Sequence, residues 1–256
     1  MITEDKYLFS VSKNFYIILQ IEYVILPTGE KKMGKIVKFS TLTYSVGRKM
    51  ETTKYDELVN RLETTPANNY VVREAENLAD QVLNLYGCNG KSASTPIIKI
   101  AKAFGFATYQ AKDIPNDISG NIFVGGTTQK DYGTDKVIIV DANDPLPHQR
   151  FIIAHELAHY LLDYVGNQKY KNSEVAFSRT YPKVNHETTE EIRADRFAAE
   201  LLMPKKVFLA EYIKAMKKSD YSTDYTVPYL AKLFNTKESC IRRRIQEVLE
   251  EVVVTE

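Results

Sequence analysis

The hydrophobicity pattern of this chain predicts an α+β fold: helices, then a small mixed or antiparallel sheet, then more helices. Three observations carry the expectation. Val71, Ala75, Leu78, Val82 and Leu85 recur at helical spacing. Residues 106–110, 121–125 and 136–141 are short runs that read as strands. Residues 151–162 and 190–204 are strongly helical, and each carries side chains able to ligate a metal.

In chain order, residues 1–66 form an extension, β-rich and without a chemical motif. Residues 15–26, rich in β-branched and aromatic side chains, read as a strand, Pro27-Thr28-Gly29 as a turn, and 35–44 as the returning strand of a hairpin. A short helix over 55–63 ends at Thr64-Thr65-Pro66 and Asn68-Asn69. The unit 67–204 opens with a helix from Tyr70, and Gly87 is its natural stop. Thr95 N-caps the next helix, with Pro96 at its first position, and Gly105 follows its end. After the three strands, Asn143-Asp144-Pro145 caps the approach to the helix at 151–162. Met203-Pro204 ends the second long helix, and Pro204 can begin another. The last unit, 205–256, contains a polar and aromatic linker at 217–225. Residues 227–245 follow as helix, tight turn and helix. In this pair Ala231 is small where the helices cross, Asn235 suits the left-handed turn, and Ile241 packs the second helix back.

Composition narrows the function classes. The chain has 256 residues, 44% hydrophobic and 26% charged, with formal net charge +1, so no global charge bias points to a nucleic-acid or membrane partner. Residues 15–26 are interrupted by Gln20 and Glu22, too short and too polar for a membrane span. The opening Met-Ile-Thr-Glu-Asp is acidic, and no small-residue cleavage site follows. Cys88 and Cys240 lie far apart and fit no disulfide or metal framework, as expected of reduced thiols in a cytoplasmic protein.

The chemistry sits in His155-Glu156-Leu157-Ala158-His159. On a helix, positions i and i+4 share a face, so both imidazoles can reach one metal ion, with Glu156 close enough to take a proton from its water. Only four histidines occur in the chain. A catalytic zinc site takes three protein ligands and keeps one position open. The third is sought in the helix at 190–204, where Glu191 and Asp195 stand four apart on one face. Glu191 is the expected ligand, and Asp195 is the carboxylate expected to accept the spare N–H of a ligating histidine. Glu190 lies about 100° around the helix with Ala194 as its +4 partner, and Glu187, Glu190 and Glu200 are expected on a solvated face, Glu200 toward solvent or a basic neighbour. His186, Arg150 and Tyr160 are candidates, by sequence proximity alone, for the donor that stabilises an oxyanion or contacts substrate.

Together, Arg-Phe-Ile-Ile-Ala-His-Glu-Leu-Ala-His-Tyr-Leu-Leu (150–162) and Glu-Ile-Arg-Ala-Asp-Arg-Phe-Ala-Ala-Glu-Leu-Leu-Met-Pro (191–204) resemble the ImmA/IrrE family of metallopeptidases. Residues 117–123 and 137–142 are similar, more loosely, to the sheet that precedes the zinc helix there. The resemblance covers roughly residues 70–250. It implies a thermolysin-like, zincin-type core with one Zn2+ on His155, His159 and Glu191, and Glu156 as general base. It also implies a protein substrate: a helix-turn-helix repressor in a stress-response or mobile-element system. Relatives often carry a second glutamate two places after the ligand. Here that position is Arg193, to which the sequence gives no role.

Two other readings come from different classes. One is a non-proteolytic, zinc-containing regulator that binds DNA through 227–245, with Arg242, Arg243 and Arg244 at the phosphates. The other is a toxin–antitoxin component acting by binding alone. Glu156 argues against the first, since a structural zinc needs no general base. Glu238, Glu247, Glu250 and Glu251 lie among the basic residues and compensate part of their charge, so autonomous DNA binding is not expected.

Overall fold

The structure, a computed structural model, describes residues 5–12, 15–21, 37–38, 52–63, 72–88, 93–112, 118–125, 132–165, 167, 175–180, 188–220 and 222–254. Among these the fold is α+β. The strands are β1 (Asp5–Ser12), β2 (Phe15–Ile21), β3 (Val37–Lys38), β4 (Ala107–Ala111), β5 (Ile118–Val124), β6 (Lys136–Asp141) and β7 (Val175–Thr180). The helices are α1 (Thr52–Glu63), α2 (Val72–Tyr86), α3 (Ile97–Ala103), α4 (Leu146–His159), α5 (Thr189–Leu202), α6 (Lys205–Lys218), α7 (Thr223–Phe234) and α8 (Glu238–Val254). A single π-helical turn, Tyr160–Tyr164, extends α4.

The main sheet has the order β3-β4-β6-β5-β7 and is mixed, because β4 runs parallel to β6 while the other pairs are antiparallel. β6 (Lys-Val-Ile-Ile-Val-Asp) is its centre, and an uninterrupted apolar run is what a strand covered on both faces needs. Ile138 and Val140 enter the main core, and Val137 and Ile139 pack on the other face with Tyr109. The main core runs through Leu58 of α1, Leu78 and Val82 of α2, Ile100, Ile122, Leu157 and Phe197. It continues into Phe208, Phe234 and Ile241 of the last three helices, so it crosses both expected unit boundaries, 66/67 and 204/205.

Three expectations change. β2 pairs with β1, in a segment where the sequence suggested no strand, while β3 pairs with β4 of the main sheet. The strand read at 35–44 is described only at Val37–Lys38, so most of its expected pairing with 15–26 lies outside the described residues. The turn at 27–29 lies outside the described residues. Thr95 does not cap α3: its hydroxyl donates to Leu201 O at 2.8 Å, tying the start of α3 to the end of α5. The segment 217–225 is mostly helical, because α6 runs to Lys218 and α7 begins at Thr223.

Gly87 (φ 78°) and Asn235 (φ 53°) take the left-handed conformation at their helix ends. After Asn235 the Thr236 N–H closes on Ala231 O at 3.0 Å. None of the helices among the described residues is long and apolar enough to cross a membrane.

Candidate metal centre

α4 is flanked by β5, β6, α3 and α5 and is buried from Ile152 to its end, while Leu146 at its start is exposed. Its apolar residues Ile152, Ile153, Leu157 and Ala158 are fully enclosed. The same packing carries His155 and Glu156 to complete burial and His159 nearly so. Gly120 of β5 makes the close approach possible: a Cβ there would lie 2.2 Å from Ile152 Cγ2 and 3.6 Å from Glu156 Oε1. The sequence offered no reason for that glycine until the neighbouring helix was in place.

α5 supplies the other half. Thr188 caps it, its hydroxyl accepting the Glu191 N–H at 3.3 Å, and Glu190 and Glu191 occupy the first turn, where the helix dipole favours acids. Glu191 Oε2 lies 3.2 Å from His155 Nε2, and Oε1 lies 3.3 Å from His159 Nε2. The two Nε2 atoms are 2.9 Å apart. Donors held about 2.0–2.1 Å from a tetrahedral zinc ion are separated by about 3.4 Å, so the three groups can close on one ion with little movement. Glu190, one residue away, is exposed.

Each imidazole presents its other nitrogen to a carboxylate. His155 Nδ1 is 2.8 Å from Asp195 Oδ1, and His159 Nδ1 is 2.7 Å from Asp163 Oδ2. Nδ1 therefore carries the proton and Nε2 faces the cluster, the tautomer a ligand needs. Asp163 was missed at the sequence level. The signal was available, because it stands four residues after His159 on the same helical face, the logic that picked out Asp195 from Glu191.

Four carboxylates lie about the imidazoles: Glu156, Asp163, Glu191 and Asp195. Arg193 pairs with Asp163 and Arg243 with Asp195, and an acidic setting of this kind suits a cation. Burial alone would lower the His159 pKa, but hydrogen bonds to Asp163 and Glu191, with the charges of Glu156 and Asp163, raise it to about 10. Hydrogen bonds to His155 and His159 hold the Glu191 carboxyl well below the usual carboxylate range.

The remaining candidates lie elsewhere. Arg150 donates from Nε to Asn235 O (3.2 Å) and from Nη2 to Thr95 O (2.8 Å), so it ties α4 to the α7–α8 turn and the start of α3. Tyr160 is buried edge-to-face on Phe106 and stacked on Tyr164, with Lys136 Nζ 4.8 Å above its ring. None of these contacts is with His155, His159 or Glu191. His186 and Glu187 lie outside the described residues. Glu200 meets a basic neighbour, Arg244 of α8, but is buried rather than solvated, and it accepts the Lys205 N–H at 2.9 Å. Among the described residues, the strands at 121–125 and 136–141 are paired on both sides, β5 lying between β6 and β7 and β6 between β4 and β5.

The three arginines of the last helix differ in surroundings. Arg244 is 2% exposed and also meets Met203 O and Glu247. Arg243 reaches Asp195 and Glu247, and Arg242 lies on the surface near Glu238.

A family model described as Peptidase M78, IrrE N-terminal-like domain, matches residues 121–246, a span that holds every residue of the cluster, all of α7 and the first half of α8. No curated protein matches the chain.

Proposed function

We propose that this chain, whose residues 121–246 belong to the IrrE N-terminal-like peptidase family, is a zinc-dependent endopeptidase. The observation that carries the reading is the meeting of His155, His159 and Glu191 beside a fully buried Glu156 on the same helix as the two histidines. His155, His159 and Glu191 would hold the ion. When bound, zinc supplies a Lewis acid that polarises the scissile carbonyl and lowers the pKa of water in its open position. Glu156, one residue from His155, takes the proton of the attacking water and hands it to the departing amine. Asp195 and Asp163 keep the imidazoles in the ligating tautomer. Enclosure by α4, α5 and β5 keeps bulk water from competing for that proton.

The substrate in this reading is a helix-turn-helix repressor of a stress-response or mobile-element system, and the setting is cytoplasmic. The resemblance in 150–162 and 191–204 supports it. The test is incubation of the purified chain with the repressor encoded beside it. Zinc-loaded protein should cut the repressor at a defined peptide bond, and both chelator and Glu156→Gln should stop the cut. An intact repressor that nevertheless binds the chain would favour the non-proteolytic alternative.

A further inference from the structure

Arg193 occupies the place where the sequence departs from the resembled pattern, and the structure surrounds it with the second histidine's partner. Its Nη2 lies 2.5 Å from Asp163 Oδ1 and 3.3 Å from Leu162 O. The other oxygen of Asp163 is the one 2.7 Å from His159 Nδ1. All three side chains are buried: Arg193 is 3% exposed, His159 7% and Asp163 8%. A carboxylate withdrawn from water to this extent needs a charge partner and fixed geometry. Asp163 also sits on the π-helical turn, where the chain leaves the α-helical register. Arg193 ties that turn to α5, the helix that carries Glu191. The arrangement on His155 is parallel, since Asp195 Oδ1 takes Nδ1 and Oδ2 meets Arg243 Nη1 at 3.4 Å. Arg243 is about half exposed, whereas Arg193 is enclosed.

We propose that Arg193 and Asp163 are a positioning pair for His159: Arg193 fixes the carboxylate, and the carboxylate fixes the ring so that Nε2 meets the metal ion. The proposal rests on the metal-centre reading, and its test separates the two. Zinc affinity is measured by competition with a chromophoric chelator, and geometry by the visible spectrum of the cobalt(II)-loaded protein. These are compared across wild type, Arg193→Met, Arg193→Lys, Asp163→Asn, the Asp163→Asn/Arg193→Met pair, His159→Ala and Arg242→Met.

Arg193→Met and Asp163→Asn should each weaken zinc binding by roughly 10- to 100-fold and alter the cobalt spectrum. Arg193→Lys should recover part of the loss, and Arg242→Met, a surface change near Glu238, should match wild type. The double variant removes both buried charges, so it stays measurable if Arg193→Met alone does not fold. It should bind about as weakly as Asp163→Asn, because the arginine acts through the aspartate. Wild-type affinity in both folded Arg193→Met and Asp163→Asn, with zinc lost only in His159→Ala, would overturn the pair and leave the metal centre standing. Undiminished binding by His159→Ala would overturn both.

Discussion

At the scale of single residues, Glu156 and Glu191 have separable jobs, although both are carboxylates close to the same imidazoles. Glu156→Gln should retain zinc and lose at least roughly 10²-fold in peptide cleavage, because an amide can neither accept nor deliver the proton. Near-normal turnover in that variant would place the base elsewhere. Glu191→Gln should weaken zinc binding, and Glu190→Gln should not, since Glu190 is exposed and takes no part in the cluster. The reverse result would move the third ligand by one residue. His159 adds a proton to the account. Its pKa in the ion-free chain is raised from 6.5 to about 10, so its imidazolium stabilises the fold fully below about 6.5, and that contribution is lost as pH rises through about 10. Ligation needs the neutral ring. Zinc binding near pH 7 should therefore release about one proton per ion from this group. Zinc titrations in buffers of different ionisation enthalpy would show it, and a buffer-independent heat would contradict the assignment.

At the scale of elements, what was legible from sequence followed how local the determining contacts are. β6 is observed at 136–141 as read, because four consecutive apolar residues between charged ends state their own burial. α2, the left-handed Gly87 and Asn235, and the Glu191–Asp195 spacing were equally readable, since each depends on neighbours within a few residues. The hydroxyl contact of Thr95 and the burial of Glu200 were not. Their partners, Leu201 and Arg244, lie far along the chain, and the local pattern suggested a cap and an acid facing solvent or a basic neighbour. Gly120 belongs with them, and its role is testable. Gly120→Ala should push β5 off α4, with an overpacking cost of about 1–3 kcal/mol, read from denaturant midpoints. An unchanged midpoint would show that the strand yields freely. Arg244→Met should cost about 3–5 kcal/mol, because it strands the buried Glu200 carboxylate, whereas Glu247 keeps Arg196 and Arg243. A loss below about 1 kcal/mol would place that ion pair among those worth little.

For the whole molecule, α6, α7 and α8 complete both the core and the surroundings of the site. Phe208, Leu230, Phe234 and Ile241 are fully buried in the cluster that also holds Leu157 and Phe197 of α4 and α5. Arg244 faces Glu200 rather than solvent, and Arg243 reaches Asp195, so two of the three consecutive arginines have carboxylate partners on α5. A fragment covering 205–256 should accordingly show no salt-sensitive binding to duplex DNA at micromolar concentration, and tight, salt-dependent binding would revive the regulator reading. The central claim is that α4 and α5 together make one catalytic zinc site. It is tested most directly by the zinc content of purified protein, wild type beside His159→Ala. The account predicts about one zinc per chain in wild type and none retained by the folded variant; equal zinc in the two would contradict it.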